Sequence, residues 1–238
     1  MKTFLEAEWK NLILINYEVP KELLEPYVPI GTEIDLWEGK AFVSLVAFMF
    51  DKISVFGIPA IGNRSFPEVN LRMYIKRSVD GEDRRAVAFI KEIVPKPLVT
   101  KIANIFFKEH YETCKMNDLL FKPLKGNTEI EYNVFKGSEN KVSAEVGDEL
   151  APLIEESFEE FIAEHYWGYS NISSNKTVEY EVQHPRWSIF KESRVDFKGD
   201  FSDLYGEKWS FLNDINPVNC FVANGSEVKI SLPNFLKV

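Results

Sequence analysis

The stretch FPEVNLRMYIKRS, residues 66 to 78, indicates a sheet protein, because apolar and polar residues alternate along it. Side chains two residues apart lie on the same face of a strand. The apolar face would carry Val69, Leu71, Met73 and Ile75. The polar face would carry Glu68, Asn70, Arg72 and Tyr74. The pattern therefore predicts a strand with one face in a core, and a polar face that either meets solvent or lines a ligand cavity in a curved sheet.

The polar face contains residue types that can bind and convert a small acid. The guanidinium of Arg72 can hold a carboxylate through two parallel hydrogen bonds, and Glu68 can transfer a proton. Asn70 and Tyr74 add an amide and a phenol to the same face. The alternation alone does not choose between solvent and cavity, and a solvent-facing polar side is the more common arrangement.

Strand-like segments also dominate the rest of the chain, and turn residues separate them. Hairpin turns are predicted at Glu38–Gly39, at Asp80–Gly81, within GSEN (137–140) and at Asn224–Gly225. A short helix is expected between Pro20 and Pro29, and two longer ones over residues 97–110 and 152–165, which begin at Pro97 and Pro152. No linker divides the chain, so we expect one α+β domain over residues 1–238 with a large antiparallel or mixed sheet.

Composition restricts the classes of partner. The formal charge is −9, which disfavours binding to nucleic acid or to an anionic membrane surface. The N-terminal residues lack the apolar segment of a signal peptide, and the longest apolar run, AFVSLVAFMF, is too short to span a bilayer. Cys114 and Cys220 form no paired motif, as is typical of a reducing compartment. We therefore expect a cytoplasmic protein with no nucleic-acid or membrane partner.

The segment VEYEVQHPRW, residues 178 to 187, predicts a second strand that ends near a polar cluster. Its apolar face would carry Val178, Tyr180, Val182 and His184, and Trp187 follows Pro185 where the strand ends. The three histidines of the chain are dispersed and no cysteine pair supports them, so no metal site is expected. No phosphate-binding or dinucleotide-binding glycine motif occurs, and no cofactor is expected.

The ends of the two longer predicted helices repeat one pattern. Phe106-x-x-Glu109-His110-Tyr111 closes the first, and Phe161-x-x-Glu164-His165-Tyr166 closes the second. A duplicated functional element would produce this echo, and so would two amphipathic helix ends where histidine suits the dipole. The flanking sequences do not match, which favours coincidence.

Lys96 lies between two prolines in FIKEIVPKPLVTKIAN, residues 89 to 104, at the start of the first longer helix. A lysine becomes a nucleophile when burial or a nearby cation lowers its pKa, because the free amine then attacks a carbonyl to form a Schiff base. An exposed lysine is ordinarily protonated and solvated, and that alternative stays open for Lys96.

Several segments together resemble the YqjF-like family, a bacterial family of unknown function in the acetoacetate decarboxylase-like superfamily. The segments are EAEWKNLILINYEV (6–19), LLEPYVPIGTEIDLWEGKAFVSLVAF (23–48), FPEVNLRMYIKR (66–77), AEHYWGY (163–169) and HPRW (184–187). The resemblance implies a β-rich α+β fold, in which curled antiparallel or mixed sheets form a cone-like half-barrel around a cavity with a few flanking helices. Fold alone does not carry function.

The stretch KEIVPKP, residues 91 to 97, is similar to the motif around the decarboxylase's Schiff-base lysine, and it implies that Lys96 occupies that place. Val94 stands where the decarboxylase has tyrosine. Pro97 stands where the decarboxylase has a second lysine, whose charge helps to lower the pKa of the nucleophile. Burial would have to supply that activation here.

Three functions remain open. The first is a lyase acting on a small keto acid, with Lys96 forming the imine and Glu68 transferring the proton. Its substrate-binding residues would be Arg72, Asn70, Tyr74, His184 and Trp187. The second is a non-catalytic protein that binds a small apolar or acidic metabolite in the same cavity, which predicts a pocket rich in Phe and Trp with no lysine inside. The third is a structural role in a homo-oligomer, which the superfamily and the many strands favour.

Overall fold

A computed structural model describes residues 2–122 and 127–237, and strands dominate it. The strands are β1 (Thr3–Val19), β2 (Glu33–Ile34), β3 (Ala41–Val55), β4 (Ile58–Pro59), β5 (Phe66–Val79), β6 (Glu82–Val94), β7 (Tyr111–Thr113), β8 (Lys115–Phe121), β9 (Thr128–Lys136), β10 (Ser138–Val146), β11 (Leu150–Pro152), β12 (Trp167–Ser173), β13 (Lys176–Gln183), β14 (Ser188–Phe190), β15 (Ser193–Lys198), β16 (Asn219–Ser231) and β17 (Asn234–Lys237). The α-helices are α1 (Lys21–Leu24), α2 (Pro97–Ile102), α3 (Phe158–Ala163) and α4 (Phe201–Tyr205). A π-helical turn (Ala103–Phe107) continues α2, and 3₁₀ turns cover Glu25–Tyr27 and Glu207–Asn213.

Seven strands of the larger sheet close into a ring, in the order β16, β1, β3, β5, β6, β12 and β13. The ring closes because β13 pairs back onto β16, with Val182 opposite Ile230 and Gln183 opposite Lys229. The pairing of β6 with β12 is parallel, whereas its pairing with β5 is antiparallel. The expected β-rich α+β fold with a curled, mixed sheet is confirmed, and the β13–β16 pairing carries the curl further than a half-barrel.

A second sheet, in the order β15, β10, β9 and β8, packs against the outside of the ring. Its apolar side chains and those of α4 share one core with the outer face of β5. From the second sheet and α4 this outer core takes Ile130, Tyr132, Val134, Val142, Phe201 and Leu204. The ring therefore has one core outside it and another set of buried residues inside it.

Both faces of β5 are buried. Val69, Leu71, Met73 and Ile75 are fully covered in the outer core, as the alternation predicts. The opposite face, with Glu68, Asn70, Arg72 and Tyr74, is also buried and does not meet solvent. The polar face of this strand consequently belongs to the interior of the ring.

The turns confirm most of the predicted hairpins. Asp80 and Gly81 have φ of 53° and 85° and join β5 to β6, as the preference of such turns for positive φ requires. A bridge between Trp37 and Lys40 encloses the predicted turn at Glu38–Gly39. Strand β2, which precedes that turn, pairs with β5 and not with β3. The third hairpin joins β9 to β10 as predicted.

The hairpin predicted at Asn224–Gly225 is wrong, because β16 runs through this dipeptide without turning. It pairs with β1 from Ser231 to Asn219. Gly225 has a φ of 87°, and a Cβ atom added to it would lie 2.0 Å from the carbonyl oxygen of Trp9. The glycine marks a close approach of two backbones, which is the other common reason for a glycine inside a strand.

The two longer helices are shorter than predicted. The helical region that begins at Pro97 ends at Phe107, because Lys108 adopts the left-handed conformation with a φ of 58°. Helix α3 begins only after Ser157, whose side chain accepts a hydrogen bond from the backbone N–H of Glu160. Pro152 belongs to β11 and does not start a helix. Among the helices of residues 2–122 and 127–237, none has the length and apolar character needed to cross a membrane.

Candidate functional site

The ring encloses a cavity of about 320 Å³, and every ring strand contributes side chains to its lining. Most of the lining is apolar. We call six of its aromatic residues the aromatic wall: Trp9, Phe48, Phe50, Phe66, Phe89 and Trp187. Leu98 and Phe106, from α2 and the turn after it, are 55% and 54% exposed and mark the entrance. The cavity thus runs from an apolar entrance into the polar face of β5.

A bulge in β6 decides which charged side chain enters the cavity. Val87 and Phe89 line it, so a strand period of two would place Lys91 there next. The register between β5 and β6 shifts at Ile90, which has no partner on β5. A bulge of this kind re-aims the side chains that follow it. As a result Lys91 leaves the interior and Glu92 enters it.

Side chains from three neighbouring strands form a polar row inside the ring. Asn70 on β5 is directly opposite Glu92 on β6, and Glu92 is opposite Tyr111 on β7. Glu68, two residues before Asn70, accepts hydrogen bonds from Asn70 Nδ2 at 2.8 Å and from Tyr111 Oη at 3.0 Å. Both carboxyl oxygens of Glu68 therefore have a donor.

A third carboxyl group enters from the segment after α2. Lys108 ends the helical region, and the extended chain beyond it alternates, with Glu109 and Tyr111 facing inward and His110 exposed. Glu109 Oε1 accepts a hydrogen bond from Tyr180 Oη of β13 at 2.7 Å. This hydrogen bond links the segment after α2 to β13.

The three buried carboxyl groups, Glu68, Glu92 and Glu109, form what we call the carboxyl cluster. Burial raises the pKa of Glu68 to about 7 and that of Glu109 to about 8. Burial and the neighbouring charges of Glu109 and Glu68 raise the pKa of Glu92 well above its usual value. The cluster therefore holds protons near neutral pH and can exchange them with a bound molecule.

Arg72 supplies positive charge beside the cluster. Its Nη2 atom donates to the carbonyl of Ile162 at 3.1 Å, and the guanidinium lies 5.5 Å from the ring centre of Tyr74. His165 lines the cavity nearby, and burial together with the charges of Arg85 and Arg72 lowers its pKa well below the usual value. His165 is therefore neutral and can bond as donor or acceptor.

Five of the residues proposed from sequence line the cavity: Glu68, Asn70, Arg72, His184 and Trp187. The imidazole of His184 stacks on Trp187 and on Tyr166, with ring centres 4.6 Å and 4.8 Å away. Tyr74 is buried, and it is not among the residues that line the cavity. Its hydroxyl bonds with Ser44 deeper in the ring.

The structure does not bring Lys96 together with Glu68 and Arg72. The Lys96 amine donates to the carbonyl oxygen of Gly62 at 3.0 Å, at the entrance and not inside. The other nearby lysine, Lys91, donates to the carbonyl of Leu204 at 2.9 Å on the outer side of the ring. Among the residues that the structure describes, no lysine lines the cavity.

Sequence reasoning did not single out Glu92, Glu109, Tyr111 or His165 as site residues. The repeated Glu-His-Tyr pattern could have indicated three of them, because residues of both copies line the cavity. The first copy contributes Glu109 and Tyr111, and the second contributes His165. Glu92 gave no signal, because the bulge that turns it inward depends on the pairing with β5.

Several polar atoms of the lining have no hydrogen-bond partner within the described part of the chain. They include Glu92 Oε2, Glu109 Oε2, Asn70 Oδ1 and Arg72 Nε. Buried polar atoms are nearly always paired in native proteins, so atoms left open inside a cavity indicate groups that a ligand can meet. No three potential metal ligands among residues 2–122 and 127–237 lie close enough to hold an ion.

Comparison with solved structures defines the class of fold. The chain is similar to an acetoacetate decarboxylase-like enzyme from Sphingomonas wittichii RW1, with a TM-score of 0.65 and 10% identity over 100% of this chain and 94% of that one. It is also similar to acetoacetate decarboxylase from Legionella pneumophila, with a TM-score of 0.62 and 12% identity over 99% and 88%. The enduracididine biosynthesis enzyme MppR complexed with pyruvate gives 0.61 and 9% over 99% and 91%. The chain thus has an acetoacetate decarboxylase-like fold.

The sequence itself identifies the family. A family model described as an uncharacterized conserved protein, DUF2071, matches residues 6–227, and the chain belongs to this family. It is 24% identical over 195 residues to the uncharacterized protein YqjF of Bacillus subtilis (strain 168), which covers 78% of this chain and 74% of YqjF. The YqjF-like resemblance predicted from the sequence is confirmed.

Proposed function

We propose that this protein binds a small organic molecule inside the ring, with an apolar body on the aromatic wall and a polar group at the carboxyl cluster. The observation that carries the proposal is the set of unpaired polar atoms at the inner end of an aromatic cavity. Each unsatisfied buried polar group costs about 1–3 kcal/mol, and a ligand that pairs it recovers part of that free energy. Cavities of this kind, apolar with a few convergent polar groups, are typical ligand sites.

The position of the lysines supports binding over imine chemistry. A Schiff-base enzyme needs a free amine next to the substrate carbonyl. Lys96 bonds to Gly62 at the entrance, and Lys91 is turned outward by the bulge in β6. A lyase working through Lys96 would require its amine to leave that carbonyl and move inward. A pocket rich in Phe and Trp without a lysine is what the binding hypothesis expects.

A second candidate function is proton transfer without an imine. Glu68 favours it, because burial raises its pKa to about 7 and Tyr111 donates a hydrogen bond to it. A carboxyl group with a pKa near the working pH is suited to general acid–base catalysis. In D2O such an enzyme would exchange the α-protons of a keto acid for deuterium. Proton NMR should detect this exchange with the native protein and not with Glu68→Gln.

The binding proposal can be tested with the neutral fluorescent probe N-phenyl-1-naphthylamine, whose emission rises in apolar surroundings. We expect a saturable rise with the native protein. Val87→Trp places a large ring in the cavity and should abolish the rise, whereas Val218→Trp adds the same ring at an exposed site and should retain it. Val46→Phe is a second cavity-filling variant, and circular dichroism checks that each is folded. No saturable rise, or an equal rise in the folded filled variants, would contradict the proposal.

A further inference from the structure

The ionisable groups that line the cavity are mainly acidic. The carboxyl cluster contributes three acidic groups, from β5, β6 and the segment before β7. Arg72 is the one arginine or lysine among the described lining residues. His165 and His184 add little positive charge, because burial lowers the pKa of both. The interior therefore lacks cations relative to its acidic groups.

Three of the unpaired polar atoms in the lining are oxygen atoms, and the others are nitrogen atoms of Trp9, Arg72 and His165. Asn70 Oδ1, Glu92 Oε2 and Glu109 Oε2 are open oxygen atoms on side chains that are each less than a tenth exposed. The amide of Asn70 is oriented by its Nδ2 atom, which donates to Glu68, so Oδ1 is an acceptor. Asn70 and Glu92 are cross-strand neighbours, whose Cβ atoms lie about 5 Å apart in such pairs. One ligand group can therefore reach both.

We propose that the ligand of this cavity carries a primary amine and binds as the ammonium ion, with its N–H groups donating to Asn70, Glu92 and Glu109. This inference rests on the proposed binding function and gives the ligand its chemical class. An ammonium group offers three donors and no acceptor, which matches three open oxygen atoms. Hydrogen bonds from a cation to a carboxylate are about twice as strong as neutral ones.

The rest of the cavity suits the body of such a ligand. The aromatic wall presents the faces and edges of Trp9, Phe48 and Phe50, which contact one another with ring centres 5.1 Å to 5.9 Å apart. Aromatic faces attract cations as well as apolar groups. A volume of about 320 Å³ accommodates a molecule the size of a phenylalkylamine.

Binding of the cation also accounts for the protons of the carboxyl cluster. In the empty cavity the raised pKa values keep protons on the cluster at neutral pH. When an ammonium ion binds, its charge favours the ionised carboxylate, and a carboxyl proton passes to the solvent. No bond of the ligand is made or broken. The inference therefore predicts about one proton released for each amine bound near pH 7.

Titration calorimetry with three probes that share a phenyl ring and a three-carbon chain tests the inference: 3-phenylpropylamine, 3-phenylpropan-1-ol and 3-phenylpropionate. We expect the amine to bind at least about tenfold more tightly than the other two. Repeating the amine titration in buffers of different ionisation enthalpy measures the protons released. Glu92→Gln should weaken amine binding by about tenfold, and Glu109→Gln should act alike. Glu145→Gln, at an exposed site, is the matched control.

The inference is overturned if the propionate binds more tightly than the amine, if alcohol and amine bind equally, or if both glutamine variants leave amine binding unchanged. These failures can be separated from failure of the binding proposal itself. If N-phenyl-1-naphthylamine binds and the amine shows no preference, the cavity is a ligand site for another class of molecule. If neither the naphthylamine probe nor the three phenylpropyl probes bind, both proposals fail together.

Discussion

The buried carboxyl of Glu109 should make the stability of this protein fall as the pH rises. Its pKa rises from 4.5 to about 8 in the folded state, chiefly because burial disfavours the charged form. A group whose folded pKa lies above its unfolded value stabilises the protein fully below the unfolded value. That contribution is lost as the pH passes through the folded value. The sensitive window therefore runs from about pH 4.5 to just above pH 8.

Glu109→Gln removes this titration and keeps the size of the side chain. At about 1.4 kcal/mol for each pH unit, the raised pKa corresponds to roughly 5 kcal/mol of stability lost by the native protein once the pH has passed through the whole window. The variant should lack that loss. The free energy of unfolding of the variant, minus that of the native protein, should therefore increase by a few kcal/mol between pH 5 and pH 9. The increase should be somewhat larger still, because the pKa of Glu92 also falls when the charge of Glu109 is absent.

Urea unfolding at pH 5, 6, 7, 8 and 9, followed by circular dichroism, measures the difference. The control is Glu112→Gln on the outer side of the ring. Partial burial acts to raise the pKa of Glu112, but hydrogen bonds from Lys136 and Lys91 lower it overall. Native Glu112 loses its stabilising contribution only as the pH falls through its lowered pKa, so the stability difference between Glu112→Gln and the native protein should stay nearly constant from pH 5 to pH 9. Parallel stability curves for native protein and Glu109→Gln from pH 5 to pH 9 would refute the reasoning.

Three further predictions follow from single contacts. Gly225→Ala places a Cβ atom 2.0 Å from the Trp9 carbonyl oxygen, so the free energy of unfolding should fall by about 2–4 kcal/mol. Thermal unfolding measures this loss, and an unchanged melting temperature would contradict the close approach of the two backbones. Ser157→Ala removes the side-chain cap of α3 and should reduce the free energy of unfolding by about 1 kcal/mol, whereas the exposed Ser173→Ala should not. Borohydride trapping with small keto acids and 1,3-dicarbonyls should give no saturable adduct on Lys96, and an adduct lost in Lys96→Ala would restore the imine mechanism.

The features that depend on local periodicity were predictable from the sequence. The alternation in β5 predicted both of its faces, and the alternation in β13 placed Tyr180, Val182 and His184 together. Burial of the polar face was not predictable, because it depends on the closure of the ring through β13 and β16. That pairing joins residues almost 50 positions apart, and no local pattern specifies it.

The errors arise where a neighbouring strand decides the conformation. Asn224–Gly225 has the composition of a tight turn, yet the long pairing with β1 keeps β16 extended there. Lys91 and Glu92 exchange sides because Ile90 is unpaired against β5. The helix expected over residues 97–110 stops at Phe107 because Lys108 takes a left-handed conformation, and this early end is what brings Glu109 into the site.

The most direct measurement of the central claim is a crystal structure of the protein soaked with 3-(4-bromophenyl)propan-1-ol, with the bromine located by its anomalous scattering. The binding proposal predicts one ordered bromine against Trp9, Phe48 and Phe50, with the hydroxyl directed at Glu92 and Glu109. Bromine only on the outer surface, or an interior filled by the protein's own side chains, would contradict the claim that the ring is a ligand site.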